Sequence, residues 1–441
     1  MSPIRGYFRL TLTIAAWFAA SVAAYADGRN YLIVAAEDFA GSTHLSRLAD
    51  AREARGFDVT LYSVPVGTSK EAIKAQIESW YLPSGDSYIL IVGDSDSDSA
   101  PSTGTTIPHW SGSATMSPPT DLPYACTGAG DDWYPEILLG RFAIDTEAEL
   151  ESIVDKTLLI EAGAFPDPEY SRQIAMLATS DTSAEAEQTH EAVIAQYLDP
   201  AGFTSTRIYA AQGGDTPEIM AAINAGTLFT VYFGHSSHSG WWEPSFRNEN
   251  VLALSNQGLY GVALAFSCCP AGFNHFYGEC LGETWIRETN KGGAAFIGST
   301  MLLPMGSDDM WEACRRLEDW FFSTIFEDGI WCIGPAWHAA RNELWLDPEY
   351  GPSHPDTRNY FEMFVILGDP ALLLPHKSGV AGDGDNDGDI DLADFVAFQT
   401  CHTGPAGGPV GPSCETFDFN ADDDVDSSDF DEFSDAMLGP E

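Results

Sequence analysis

The stretch "LFTVYFGHSSHSGWWEP" (residues 228–244) carries apolar and β-branched residues into Gly234, then sets out two histidines, three serines and two tryptophans. A short apolar run that stops at glycine reads as a strand buried on both faces. The chain repeats the pattern in "YLIVAA", "SYILIVGD", "RQIAMLATSD", "GVALAFSCC" and "GGAAFIGST". Between the early strands lie amphipathic segments with helix-start signals. "TSKEAIKAQIESW" has Thr68 and Glu71 in capping-box spacing, and "DTEAELESIVDKTLLIE" has Thr146 and Glu149. This alternation implies an α/β fold, a mostly parallel sheet covered by helices. In such sheets, ligands bind where loops leave the carboxyl ends of strands. Three of those ends deliver Asp181, His235 and Cys269. Residues 95–130, rich in Ser, Pro, Gly and Thr, read as a surface insertion.

With 441 residues and 44% hydrophobic composition, the chain is long enough for a full-sized core and one to three domains. Asp and Glu outnumber Lys and Arg by 66 to 20, a formal charge of −46, which argues against nucleic acid and anionic membranes as partners. Residues 1–26 place Arg5 and Arg9 before an apolar run ending in Ala24-Tyr25-Ala26. That order is a secretory signal cleaved after Ala26, so the mature protein is expected to be secreted, extracellular or attached to the cell surface. No later stretch is apolar for long enough to span a membrane. Export permits disulfides among the eight cysteines. Cys401 and Cys414 bracket a Gly- and Pro-rich loop and are the first choice for a bridge. The adjacent Cys268 and Cys269 join each other only through a strained ring, so at least one is expected to remain a thiol.

After "FVILGDPALLLPHKSGVAG" the composition changes. Residues 383–435 hold sixteen Asp or Glu and no Lys or Arg, which marks a separate module after a linker at 377–382. "DGDNDGDIDLADF" places Asp383, Asp385, Asp387, Asp389, Asp391 and Asp394 at loop positions one, three, five, seven, nine and twelve, with Gly388 at six. A hard cation such as calcium needs six to eight oxygens, and this spacing supplies them from one tight loop. A second loop repeats it with Asp418, Asn420, Asp422, Asp424, Asp426 and Asp429, but has Asp423 where glycine belongs. Phe395 and Phe398 follow the first loop, and Phe430 and Phe433 the second, three apart as a short helix needs to bury one face. Two loops with Asp at position twelve, each with one following helix, resemble a type I dockerin-like module over 383–441. The resemblance implies an α-helical, EF-hand-like module with structural calcium and a cohesin-like protein partner.

A cysteine peptidase needs a thiol nucleophile, a histidine to move protons and backbone donors for the oxyanion. "FGHSS" and "AFSCCPAGF" supply His235 and Cys269 at strand ends. With "YLIVAAEDF", "ILIVGD", "DDWYPEILLGRF", "DKTLLIE", "AMLATSD", "CLGETWI", "AAFIGST" and "FVILGDPALLL" in order, residues 27–376 resemble the gingipain-type cysteine peptidases of the caspase-like clan. The resemblance implies a two-part, caspase-like catalytic domain acting on protein or peptide substrates without an organic cofactor. It makes Cys269 the nucleophile, followed three places on by Gly272, His235 the catalytic histidine and Asp181 the carboxylate that orients it. It also implies that the amides of Ser236 and Cys269 hold the oxyanion and that Glu187 contacts a basic substrate side chain. The chain departs from the family's usual Gly-His-Gly, because Ser236 follows His235. The loop "MLLPMG" lacks an aromatic seen in arginine-specific members. Cys268 is read as a buried structural residue.

Two other chemistries fit less well. His235 and His238 lack the helical i, i+4 spacing and intervening Glu of a zinc peptidase motif. "GHSSH" ends in His where a serine nucleophile elbow requires Gly. The alternative of another class is a non-catalytic, peptidase-fold adhesion or scaffold protein at the cell surface.

Overall fold

The computed structural model describes residues 29–437, except 84, 114–116, 164, 182, 275–277, 304–308, 376–380, 385–389, 391, 406, 408–409, 411–413 and 423. The expected signal, most of the linker, and Asp385, Asp387, Asp389 and Asp391 of the first acidic loop lie outside the described residues.

The apolar runs form one ten-stranded sheet. Its strands are β1 (Arg29–Ala36), β2 (Phe57–Val64), β3 (Ser87–Val92), β4 (Leu138–Phe142) and β5 (Gln173–Ala178). They continue with β6 (Thr204–Tyr209), β7 (Phe229–Phe233), β8 (Val262–Phe266), β9 (Ala295–Ser299) and β10 (Phe364–Leu367). The spatial order is β2-β1-β3-β4-β10-β9-β8-β7-β5-β6. Every pairing is parallel except β9 with β10. The sheet is therefore two parallel halves, joined edge to edge and running in opposite directions. β3, β7, β8 and β9 are buried along their whole length, which is why they read as continuous apolar runs rather than alternations.

Helices α1 (Thr43–Ala54), α2 (Lys70–Trp80), α3 (Glu147–Glu161), α4 (Ser183–Val193), α5 (Thr216–Ala225) and α6 (Leu281–Arg287) connect successive strands. Helices α7 (Asp309–Phe326), α8 (Ile333–Leu346) and α9 (Pro355–Met363) fill the long excursion from β9 to β10. α3 opens with the Thr146/Glu149 capping box that its sequence announced. α2 instead takes Ser69 as its cap, the hydroxyl accepting from Ala72 N–H, while Thr68 donates to the Pro65 carbonyl. Two large clusters of buried apolar residues flank the sheet, one including Ile33, Leu90 and Phe142, the other including Val231, Leu264 and Phe321.

The segment expected to be a surface insertion is instead packed into the body. Ile107, His109, Asp121 and Tyr124 are buried. Arg141 on β4 pairs with Asp121 through Nε at 2.6 Å and Nη2 at 2.8 Å, and Thr300 Oγ1 donates to the Pro119 carbonyl at 2.8 Å. A segment rich in small polar residues folds this way because side chains and carbonyls from both halves satisfy its buried polar groups.

In the acidic tail, α10 (Leu392–Cys401) and α11 (Ser427–Ala436) enclose a small core of Ile390, Phe398, Phe417, Val425 and Phe433. Cys401 and Cys414 form the expected disulfide, with Cα atoms 5.4 Å apart. The other six cysteines are free thiols, Cys268 and Cys269 among them.

Candidate active site

Register brings the site together. Ala178, Phe233 and Phe266 lie in one row across the adjacent strands β5, β7 and β8. Asp181, His235 and Cys269 follow that row by three, two and three residues, so the three loops emerge side by side at the carboxyl edge of one half-sheet. Gly234 permits the close passage. A Cβ there would stand 2.7 Å from Thr179 Cβ and 2.7 Å from the Tyr232 hydroxyl. Backbone bonds from Thr179 N–H to the Phe233 carbonyl (3.1 Å) and from Gly234 N–H to the Phe266 carbonyl (3.3 Å) extend the ladder past the strands.

His235 Nε2 lies 3.0 Å from Asp181 Oδ2, and Thr179 Oγ1 donates to Asp181 Oδ1 at 3.0 Å. With Nε2 committed to the carboxylate, Nδ1 is the ring nitrogen left to exchange a proton with a nucleophile. The Tyr232 hydroxyl donates to the His235 carbonyl at 2.6 Å, and Trp242 N–H donates to the same oxygen at 3.0 Å. Trp242 stacks on the imidazole at 5.9 Å and 30°, and Trp311 of α7 meets it edge-on at 5.4 Å and 86°. Trp241 is buried and stacks on Tyr232 at 4.8 Å, so of the tryptophan pair only Trp242 reaches the surface.

Cys269 has φ 62°, the left-handed region that L-residues other than Asn and Asp seldom occupy. The strain is held by surrounding bonds. Cys269 N–H donates to the Met301 carbonyl (3.1 Å), Ala271 N–H to the Ser299 carbonyl (3.0 Å) and Gly272 N–H to the Cys269 carbonyl (3.2 Å). A Cβ at Gly272 would stand 3.0 Å from both His238 Nδ1 and the Thr300 carbonyl, so a side chain there would crowd the turn after the thiol. Burial, and secondarily Cys268, push the Cys269 thiol up to about 12. Burial also raises Cys268, which is almost fully enclosed, in keeping with a structural residue. Among the described residues, no hydrogen bond links the Cys269 sulfur to His235.

The Cys269 amide, expected to face an oxyanion, donates here to the Met301 carbonyl just past β9. Ser236 is buried, with its hydroxyl donating to the Cys268 carbonyl at 2.5 Å, which ties the histidine loop to the cysteine loop. His238 lies against the cysteine turn and bonds the Gly278 carbonyl.

Glu187 stands on α4, which begins just past Asp181. Its Oε2 accepts from Gln212 Nε2 at 2.9 Å, while its buried Oε1 has no hydrogen-bond partner among the described residues. One turn on, His190 is fully buried, with Nδ1 2.6 Å from Glu318 of α7 and Nε2 3.0 Å from the Leu177 carbonyl. Glu318 at one ring nitrogen and the Leu177 carbonyl at the other favour the imidazolium. Burial alone would lower this histidine, but the Glu318 charge and the Leu177 carbonyl outweigh it and the net shift is upward. No motif or spacing pointed to this pair, nor to Trp311 beside His235, since each partner comes from a helix far along the chain.

In the tail, the two loops fold alike at their described positions. Gly384 N–H donates to Asp394 Oδ1 at 2.6 Å and Phe419 N–H to Asp429 Oδ1 at 2.8 Å, each linking position two to position twelve. Asp394 and Asp429 are both fully buried. Oxygens of Asp422, Asp424 and Asp429 lie within 4.8 Å of one another.

Against known proteins, residues 25–375 match the model of peptidase family C25. The chain belongs to that family. Among its relatives is Lys-gingipain HG66 of Porphyromonas gingivalis, 28% identical over 335 residues, which are 71% of this chain and 18% of the relative. Gingipain R1 of the same organism is 24% identical over 283 residues, 62% of this chain and 28% of the relative. The C25 chain thus spans less than a third of the length of these relatives. The crystal structure of the Arg-specific cysteine proteinase gingipain R superposes with a TM-score of 0.65 at 23% identity, covering 79% of this chain and 78% of that one. A second solved structure, described as a protease, gives 0.67 at 21% identity, with coverage of 79% and 78%. The two-part α/β sheet is the architecture these chains share.

Proposed function

We propose that this C25 chain is an exported cysteine endopeptidase in which Cys269 attacks and His235, oriented by Asp181, moves the proton. The observation that supports this reading most is the convergence of the three residues on adjacent strand ends, with His235 Nε2 3.0 Å from Asp181 Oδ2. His235 Nδ1 takes the thiol proton as the sulfur bonds the scissile carbonyl carbon. The C–N bond then breaks, His235 returns the proton to the leaving amine, and water hydrolyses the thioester. Because the thiol is raised to about 12, a base has to act during attack, and the Asp181 carboxylate stabilises the imidazolium that results. For the oxyanion, the Ser236 amide serves together with Cys269 N–H once the Met301 carbonyl turns away. The unsatisfied, buried Oε1 of Glu187 supports a basic side chain before the cut bond, where a guanidinium or ammonium would supply the missing donor.

The tail is proposed to hold calcium in both loops and to attach the enzyme to a cohesin-like partner. The buried Asp394 and Asp429 and the clustered Asp422, Asp424 and Asp429 fit a hard cation, whose charge would offset their mutual repulsion.

The test is a peptide library combined with a thiol label. Cys269→Ala should abolish hydrolysis, and Cys268→Ala should retain most of it. Hydrolysis surviving in Cys269→Ala, or no hydrolysis by the unmodified protein, would favour the scaffold alternative.

A further inference from the structure

Trp242 is a large, half-exposed surface beside the candidate machinery, and the mechanism leaves it unused. The residue is 52% exposed, yet it is held in place. One face stacks on His235, its backbone N–H is bonded to the His235 carbonyl, and the next residue, Glu243, is bonded to Ser180. Trp311, on the other flank, packs against Phe233 at 5.3 Å and is partly buried. The open apolar surface next to the imidazole therefore belongs to Trp242.

What comes to rest there follows from the chemistry, given the peptidase reading on which this inference depends. His235 must hand its proton to the leaving nitrogen, which requires an approach of about 3 Å. That nitrogen belongs to the residue just after the cut bond, and its α-carbon is one bond away, so the α-carbon comes within about 4.5 Å of the imidazole. The side chain of that residue has to project beside the ring. A fixed, half-exposed indole at this point offers a flat apolar wall, and covering it removes unfavourable apolar surface from water. Glycine or a small polar residue would leave it wet.

We propose that Trp242 is the specificity-determining residue for the position immediately after the scissile bond, and that it selects large apolar or aromatic side chains there. The substrate class is thus peptides whose new N-terminus, after cleavage, is a bulky apolar residue.

The test uses the full chain and a set of peptides identical except at that position, carrying Phe, Leu, Ala, Gly, Ser or Asp. Wild type should show kcat/KM about tenfold higher for Phe and Leu than for Gly, the scale of discrimination a single apolar contact gives. In Trp242→Ala the ratio should collapse to about threefold or less, and in Trp242→Phe most of it should return. Using the ratio cancels any loss common to all peptides, and a Cys269 alkylation rate as slow as in wild type checks that the site is folded in each variant. A ratio that survives in Trp242→Ala, or a wild type that favours Gly, Ser or Asp, overturns this inference while leaving the peptidase reading intact. A folded wild type, its Cys269 slow to alkylate, that cleaves no peptide overturns both.

Discussion

The state of the thiol before substrate arrives decides how His235 works, and pH reads it directly. Burial and Cys268 hold Cys269 at about 12. At pH 8 a thiol at its ordinary value of about 8.5 is roughly a quarter ionised, whereas one at about 12 is ionised to roughly one part in ten thousand. Only the thiolate attacks iodoacetamide, so Cys269 should react about three orders of magnitude more slowly than an ordinary thiol at that pH. Its rate should climb about tenfold per pH unit from pH 7 to pH 11. Mass spectrometry of the Cys269 peptide across that range, in Cys268→Ala so that one thiol is followed, supplies the profile. His235→Ala should leave the profile nearly unchanged while abolishing peptide hydrolysis, because the histidine acts during attack rather than by storing a thiolate. Wild type, followed through the same peptide, should rise at slightly higher pH than Cys268→Ala, since the Cys268 sulfur is the lesser cause. A rate already flat below pH 8 would refute the reasoning, since it requires a thiolate and imidazolium paired at rest.

His235→Ala should lower kcat by several orders of magnitude and Asp181→Asn by less, because the carboxylate orients and stabilises rather than transfers the proton; steady-state kinetics with one peptide checks the order. His190→Ala would leave Glu318 buried without its cation and should cost about 3–5 kcal/mol in chemical denaturation. The raised histidine contributes its stability below its unfolded value of about 6.5 and loses it as pH rises through the higher folded value, so the gap to wild type should narrow from pH 6 toward pH 9. Calcium added to the full chain should raise the unfolding temperature of the tail's transition in calorimetry, and Asp394→Ala with Asp429→Ala should remove the response.

Much of the architecture was legible because burial on both faces leaves an unmistakable apolar run. β3, β7 and β8 stand where "SYILIVGD", "GTLFTVYFGH" and "GVALAFSCC" placed them, and the capping box of α3 is local chemistry. The antiparallel seam was not legible. β10 is four residues long and follows three helices, and nothing within "FVIL" says that it will lie between β4 and β9. The 95–130 segment misled for a related reason. Its Ser, Thr and Pro content describes a loop, but its burial is decided by Arg141 and Thr300, which come from elsewhere.

The same distinction runs through the candidate site. Asp181, His235 and Cys269 could be named because each directly follows a strand signal, and strands of one parallel set deliver their ends to one edge. Their environment could not be named, because it is built by residues that no periodicity connects. Tyr232 points out of the strand to hold the His235 carbonyl, and Trp311 arrives on α7. Met301 takes the Cys269 amide from beyond β9. These contacts set properties that a motif does not carry: the imidazole is fenced on two sides, burial raises the thiol, and the Cys269 amide is bonded to the Met301 carbonyl. Met301 follows β9 and Trp311 stands on α7, so part of the candidate site's environment is set by the segment that connects the two half-sheets. Trp311→Ala should therefore change turnover, read by steady-state kinetics, without altering Asp181, His235 or Cys269 themselves.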